Sequence, residues 1–366
     1  GNTGMLSASI FNRIDDVISE QNDRNRGHMG FSGIGDDDER KIWLNFHWCL
    51  SSSFDGRMLR LFDLGNRIED QVVDYIKSTN VIGVSPVDKD GKQYRASALG
   101  GHFSGSCDGF VRKVLPEAME EVLLLEVKSA NDKRFKELCK LADYQGWSKT
   151  YQWQIHAYMG IFGVTKTLAV VVNKNNSEIY SEIIDYNPEI WDQAQQKAKR
   201  IIASDAPGDG MNEKDWRLKN ESSVYRDVYL GKRLPASVNC RNCKSSKAIT
   251  ESNGAVWRCF RFGKNLTLDE QRNGCKDHLW MPALVPADHL PEKSTEDKIA
   301  YQSGIVVFFN TVSKGLDKQS FSSPELRELS KANFDPDLMM GPNHIRENFD
   351  AEFVAVHVMD EDQIPF

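Results

Sequence analysis

The chain has 366 residues, 40% of them hydrophobic and 27% charged, a balance that suits a globular protein with an ample buried core. A formal net charge of −7 argues against a uniformly basic nucleic-acid binder, although bulk charge conceals distribution. The longest apolar runs, such as Val122–Leu125 and Ile305–Phe309, are strand-sized and too short to span a bilayer, and no charged-then-apolar leader opens the chain. The expectation is a soluble, intracellular protein, cytoplasmic and with no membrane partner. Gly1–Gly4, ahead of Met5, read as an appended scar and are set aside.

Taken in order, Ser7–Ile18 forms a short amphipathic stretch, and a polar, Gly- and Asp-rich segment follows to about Gly35. Asp36-Asp37-Asp38 then precedes an apolar-periodic run, Ile42–Leu50, which predicts a helix with an acidic N-terminus. A longer helix is expected from Arg57 to about Ser78, where Leu59, Phe62, Ile68, Val72, Val73 and Ile76 recur near a 3.6 period. Val81–Gly91 is punctuated as a loop. Two strands come next, His102–Val114 and Glu121–Ser129, and then a helical pattern over Asp143–Gly163. Thr167–Asn173 and Ile179–Asp185 read as strands around an Asn-rich turn, and Pro188–Ile202 as a helix with proline in its first turn. Beyond Pro207 the texture is loop with short motifs; Ser303–Val312 is a further strand, and Ser323-Pro324-Glu325 opens a helix to about Ala332. The order predicts an α/β fold, a central mixed sheet flanked by helices.

Five segments are expected: an N-terminal piece (5–35), a core (36–235), a Cys-rich module (236–282), an extension (283–350) and an acidic tail (351–366). Charge is uneven along them. Lys197 to Lys264 holds fifteen Lys/Arg against seven Asp/Glu, and no Lys or Arg follows Arg346. A basic working surface with an acidic tail would produce this pattern, as would ordinary solvated faces.

Acid-x-Lys triplets carry little information alone, since roughly four arise by chance at this length and composition. Asp90-Gly91-Lys92 and Glu296-Asp297-Lys298 sit in polar, loop-like sequence. Glu126-Val127-Lys128 differs because it closes the most apolar strand, where unpaired charge is costly. Alternation puts Glu126 and Lys128 on one face. Gly105-Ser106-Cys107-Asp108-Gly109 sets an acid between small residues on the preceding strand, so pairing of the two strands can bring Asp108 beside Glu126. Two close carboxylates favour a hard cation such as Mg²⁺, or Mn²⁺, and an adjacent lysine can position water. The competing account is a plain Glu126–Lys128 salt bridge.

Two more patterns lie on either side. Gly65 and Glu69 are four apart on the long helix, and Gln154 and Tyr158 are one helical turn apart. Together with Gly105-x-x-Asp108-Gly109 and Glu126-x-Lys128, they make the segment from about Ile42 to Ile202 resemble the PD-(D/E)XK nucleases, above all the RecB-like and phage lambda exonuclease-like branches. The resemblance implies a restriction-endonuclease-like core and DNA as substrate. It also implies Asp108 and Glu126 as Mg²⁺ ligands with the carbonyl of Val127, and Lys128 as the aid to the attacking water. Glu69 would orient water or complete the metal environment, Gln154 would hold the lysine or the scissile region, and Tyr158 would touch DNA. Ser129 is a candidate phosphate contact, a plain solvated residue being the alternative.

Seven cysteines in such a chain argue against a disulfide framework. Cys240-x2-Cys243, Cys259 and Cys275 have the character of a Zn²⁺ ligand series, with His278 competing for the fourth place. The rival is an iron–sulfur cluster, carried by several RecB-like nucleases. Those relatives place one cysteine upstream of the core, where this chain has Gly35-Asp36-Asp37-Asp38, so zinc is favoured. Arg241 and Lys244, among the ligands, are candidate phosphate contacts.

The chain ends Asp360-Glu361-Asp362-Gln363-Ile364-Pro365-Phe366, a tip that resembles the tails of bacterial single-stranded DNA-binding proteins. That resemblance implies a partner protein that binds such tails, engaged through Asp360, Asp362, Ile364, Pro365 and Phe366. The functional expectation is a Mg²⁺-dependent deoxyribonuclease, an exonuclease of recombination, repair or phage DNA metabolism. The alternative is a non-catalytic DNA- or partner-binding protein whose tip mimics those tails.

Overall fold

The computed structural model describes residues 2–21, 26–51, 56–80, 83–114, 120–312, 319–331 and 333–334. The terminal tip expected to dock a partner lies outside the described residues. The chain divides into two compact units: residues 1–37, 52–202 and 250–255 form the first, and 38–51, 203–249 and 256–366 the second. Residues 36–235, expected as one core, are shared between them.

In chain order the elements begin with helix α1 (Asn2–Gln21), strand β1 (Met29–Gly30), and helices α2 (Glu39–Phe46) and α3 (Gly56–Ser78). Strands β2 (Gly83–Ser85), β3 (Arg95–Ala98), β4 (Phe103–Ser106), β5 (Gly109–Val114) and β6 (Glu120–Ala130) follow. Then come α4 (Asp132–Leu141), α5 (Tyr144–Trp147), α6 (Lys149–Phe162), β7 (Lys166–Asn173), β8 (Ile179–Asp185) and α7 (Pro188–Ala203). The result is the expected mixed α/β class.

The first unit is organised on a five-stranded sheet of order β2-β5-β6-β7-β8, antiparallel except where β6 runs parallel to β7. Leu123, Leu125 and Val127 alternate onto the face that meets Val72 and Val73 of α3, with Val111, Val170 and Val172 completing this core. Burying each such side chain is worth about 1.5–3 kcal/mol, which makes the register of β6 costly to slip. The intervening residues Leu124 and Glu126 turn to the opposite face and are buried there.

The single strand expected over His102–Val114 is two strands in different sheets. β4 pairs with β1 and β3, whereas β5 pairs with β2 and β6. The chain changes sheets through Cys107 and Asp108, and Gly109 takes φ +136°. A Cβ there would lie 2.5 Å from the carbonyl oxygen of Ser85. No side-chain-bearing residue fits this turn.

The helical pattern expected over Asp143–Gly163 is likewise broken, at Ser148. Its extended backbone ends α5, and its side chain caps α6 by accepting the Tyr151 N–H at 3.3 Å. Helix α4 was not anticipated; Asn131 caps it, accepting the Arg134 N–H at 2.9 Å.

In the second unit Asp38 caps α2, whose Trp43, Leu44 and Phe46 are buried. The short helices α8 (Trp216–Lys219) and α9 (Ser223–Tyr229) follow, and Tyr229 donates its hydroxyl to Asp38 at 2.8 Å. Strands β9 (Ser246–Glu251), β10 (Gly254–Cys259) and β11 (Lys264–Leu266) and helix α10 (Leu268–Asn273) follow, residues 250–255 between them belonging to the first unit; Cys259 ends β10, while Cys240 and Cys243 precede β9 and Cys275 follows α10. A four-stranded sheet of β12 (Asp288–His289), β13 (Lys298–Ser303), β14 (Val306–Thr311) and β15 (Ser320–Phe321) is joined by helix α11 (Ser323–Ser330). The strand expected over Ser303–Val312 is thus the second arm of a β13–β14 hairpin. Among the described residues no helix is long and apolar enough to cross a membrane.

Candidate active site

Registry of β5 on β6 sets Gly109 opposite Leu125, so Asp108, one residue before β5 begins, falls beside Glu126. The two residues are interlocked. The Asp108 N–H donates to Glu126 Oε1 at 3.2 Å, and the Val127 N–H donates to Asp108 Oδ2 at 2.8 Å. Lys128 Nζ stands 3.4 Å from Glu126 Oε2, and its ammonium lies 4.9 Å from the centre of the Tyr151 ring. From the other face α3 supplies Glu69, whose Oε1 accepts the Ser129 N–H at 3.0 Å. Gly65, one turn earlier, allows that approach: a Cβ there would lie 3.2 Å from Ser129 Oγ.

The electrostatics are those of negative charge held in a dry place. Burial, and then the nearness of Asp108, raise the Glu126 carboxyl to about 8. Burial also raises Asp108, opposed by Lys128 and the Val127 N–H and reinforced by Asp70. Glu69 is raised by burial, with Lys128 opposing. Burial alone would pull Lys128 down, but Glu126, Asp108, Tyr151 and Glu69 outweigh it and leave its pKa raised. Beside these groups opens a cavity of about 490 Å³, walled by one face of α3 (Asn66, Glu69, Asp70, Asp74) and by Gln93 and Asp108. Four acids, Glu69, Asp70, Asp74 and Asp108, line it against one cation, Lys77, an excess that favours positive charge in this space.

The structure therefore brings Glu69, Asp108, Glu126, Val127, Lys128 and Ser129 together. Gln154 is buried nearby, but its amide donates to Tyr158 Oη at 3.4 Å rather than meeting Lys128. Tyr158 requires a correction. It is 1% exposed, donates to the Ser106 carbonyl at 2.7 Å and packs edge-on to Phe31, so it braces β4 and presents nothing to DNA. Tyr151 and Asp70 were missed. Tyr151 precedes Gln154 by nearly one turn of α6, and Asp70 adjoins Glu69, so spacing from the motif residues is the signal that could have found them.

The four cysteines gather in the second unit. Cys240 and Cys243 flank a single turn capped by Asn239, Cys259 ends β10, and Cys275 follows α10. Burial raises the Cys240 thiol to about 12, with Cys243, Cys275 and Cys259 adding to it in that order. Cys243 Sγ accepts the Ser245 N–H at 3.5 Å, while Cys240 Sγ donates to the Glu270 carbonyl at 3.2 Å. His278 is buried; its Nε2 meets Asn242 Oδ1 at 2.9 Å and its ring lies edge-on to Trp280. Arg241 also departs from expectation. Its guanidinium is buried, 3.9 Å from the centre of the Trp48 ring and 4.6 Å from that of Trp257, and donates to Gln271 and the Phe46 carbonyl. It packs the second unit and does not face phosphate. Lys244 is exposed. Among the described residues no group of three or more His, Cys, Asp or Glu side chains converges closely enough to hold an ion as it stands.

No protein-family model matches this chain, and no curated protein matches it in sequence. Among solved structures it is similar to an alkaline exonuclease from Laribacter hongkongensis, at 16% identity over 49% of this chain and 88% of that one, with a TM-score of 0.37. It is also similar to SSO0001, at 12% identity over 58% and 92% with a TM-score of 0.35. A phage-related exonuclease from Haemophilus somnus 129PT matches at 14% identity over 38% and 68%, with a TM-score of 0.26. Superpositions this partial assign neither a family nor an activity.

Proposed function

We propose that this chain is a divalent-metal-dependent DNA nuclease, cleaving phosphodiester bonds at the notch where β6 runs on past the start of β5. The observation that carries the reading is the juxtaposition of half-buried Asp108 with buried Glu126, and of Lys128 3.4 Å from Glu126. Two adjoining acids, one of them buried, are costly unless a cation or a proton joins them, and Mg²⁺ or Mn²⁺ suits this all-oxygen set. Asp108 and Glu126 would hold the ion. The Val127 N–H is directed at Asp108, and in an extended residue the carbonyl points to the same strand edge, which makes it the third candidate ligand. Such an ion supplies Lewis acidity toward the phosphate and acidifies water. Lys128 would orient that water and offset charge developing on the phosphoryl oxygens. Tyr151 fixes the ammonium in place, and Glu69 ties α3 to the catalytic strand.

Exonuclease action, in recombination, repair or phage DNA metabolism, is the finer form of this proposal. It rests on the four-motif resemblance and on no single residue. In the second unit the cysteine cluster supports a structural Zn²⁺ held by Cys240, Cys243, Cys259 and Cys275. Cys240, raised by burial and by the nearness of Cys243, Cys275 and Cys259, and Cys243, already accepting a backbone N–H, belong to a donor set that a tetrahedral thiophilic ion would relieve.

Digestion of end-labelled linear, nicked and circular DNA tests the assignment. Wild type is expected to degrade linear substrate only when Mg²⁺ or Mn²⁺ is present, and Lys128→Ala to slow cleavage by about 10²–10⁴-fold while far-UV circular dichroism shows the variant folded at the assay temperature. Equal rates in the two proteins would refute hydrolysis at this site, and attack on closed circles would refute the exonuclease form.

A further inference from the structure

Residues 240–278 carry eight Lys/Arg against four Asp/Glu, in a chain whose overall charge is −7. Within that basic module the pairing of Cys259 with Lys264 closes a four-residue loop, Phe260-Arg261-Phe262-Gly263, between β10 and β11. Its two rings face solvent, Phe260 at 56% and Phe262 at 53% exposure. One exposed phenylalanine is unremarkable; two in four residues, set among cations, call for a ligand.

The loop is built to hold them there. Arg258 donates to the Gly263 carbonyl at 2.9 Å and to Asn265 Oδ1 at 3.2 Å. Arg261 spans Asp277 and Asp297, and Lys264 pairs with Glu270 at 2.6 Å. The Phe260 N–H is bound to the Ser245 carbonyl at 2.8 Å, which ties the loop to the segment that carries exposed Lys244. Gly263 has φ +62°, the left-handed turn that reverses the chain.

We propose that this loop is a stacking platform for single-stranded nucleic acid. Bases offer flat apolar faces to Phe260 and Phe262, while exposed Lys244 and the net basic charge of residues 240–278 attract the phosphates. A duplex keeps its base faces stacked inside and offers the rings little. A protein partner would ask for a contiguous aliphatic patch, whereas the exposed residues that follow these rings along the chain are Gly263, Lys264 and Asn265. The platform extends the nuclease reading from hydrolysis to capture of a strand, and the two are separable by experiment.

Fluorescence anisotropy of a labelled oligothymidylate and of a duplex of equal length, against full-length protein carrying Lys128→Ala, measures binding without cleavage. Adding Phe260→Ala and Phe262→Ala is expected to weaken the oligothymidylate Kd by at least about tenfold, from about 1–3 kcal/mol per stacked base. Duplex affinity should stay within about twofold and the melting curve should not move, because both rings are exposed. Phe260→Trp with Phe262→Trp should restore or tighten single-strand binding. An unchanged oligothymidylate Kd, or equal loss on duplex, would overturn the platform. So would tighter, ring-dependent binding of an acidic peptide copying Met359–Phe366, which would make the loop a protein-docking site. Mg²⁺-dependent digestion by the protein with Lys128 intact reports separately on the nuclease reading.

Discussion

Glu126 is 2% exposed and accepts the Asp108 N–H while Lys128 stands beside its other oxygen, so its charge depends on what those neighbours supply. Because burial and Asp108 raise its pKa from 4.5 to about 8, the folded chain binds a proton that the unfolded chain releases. The sign follows directly. Stability from this group is fully present below about 4.5 and is lost as pH rises through about 8. Removing the charge should remove the loss. In buffer free of divalent ions, Glu126→Gln is expected to melt above wild type at pH 8 by roughly 3–6 °C, equivalent to about 1–2 kcal/mol. The gap should close toward pH 4.5, and Mg²⁺ should raise the melting point of wild type alone. Scanning calorimetry across that range decides it: a variant that melts below wild type at pH 8 would mean the buried carboxylate is stabilised by Lys128 without a cation. A strand-end salt bridge, the plain alternative raised by the sequence, would give that result.

At the scale of elements, the break between β4 and β5 converts a long strand into a site. Asp108 faces Glu126 because the chain changes sheets there, and Gly109 makes the change possible at φ +136°. Gly109→Ala would force a Cβ to within 2.5 Å of the Ser85 oxygen and a strained backbone at once. The expected cost is about 2–3 kcal/mol, with cleavage falling far more steeply than binding because Asp108 is re-aimed. Urea unfolding and single-turnover digestion check the two halves, and unchanged turnover would show that Asp108 does not need this turn. The same break marks the limit of sequence reading. The periodicity of α3, the apolar run of β6 and the β7–β8 pair were legible because each satisfies one local pattern over many residues. Glu126 and Lys128 could be placed on one face by alternation alone. The sheet change at Asp108, the interruption at Ser148 and helix α4 were not legible. Each is decided by one residue's backbone or cap, against a pattern that runs on through it. Tyr158 was misjudged for a related reason: a helical spacing says which residues share a face, and only the packing of Phe31 and Ser106 says that this face is inward.

For the whole molecule, the division into two units separates two sets of charged chemistry, carboxylates in the first and thiols in the second. Residues of the cysteine module contribute little apolar mass of their own: Trp257, Leu279 and Trp280 are buried, while long stretches of 260–277 are exposed. A segment of that kind holds its shape when a metal crosslinks it, and burial without an ion leaves Cys240 protonated on a backbone carbonyl. Metal analysis of the purified chain is therefore expected to give one zinc per polypeptide. Cys240→Ser with Cys243→Ser should lose the metal and lower the melting of the second unit by at least about 3 kcal/mol. His278→Ala should keep the zinc, since that ring is engaged by Asn242 and Trp280. Lys128→Ala should keep it as well, which would separate a structural ion from one required for cleavage. Iron and sulfide with visible absorbance in place of zinc would assign the cluster to electron-rich iron–sulfur chemistry. A metal-free protein with both cysteines dispensable would make the module an ordinary apolar fold, and the mutual placement of the four thiols would then have to be explained by packing of Trp257 and Trp280 alone.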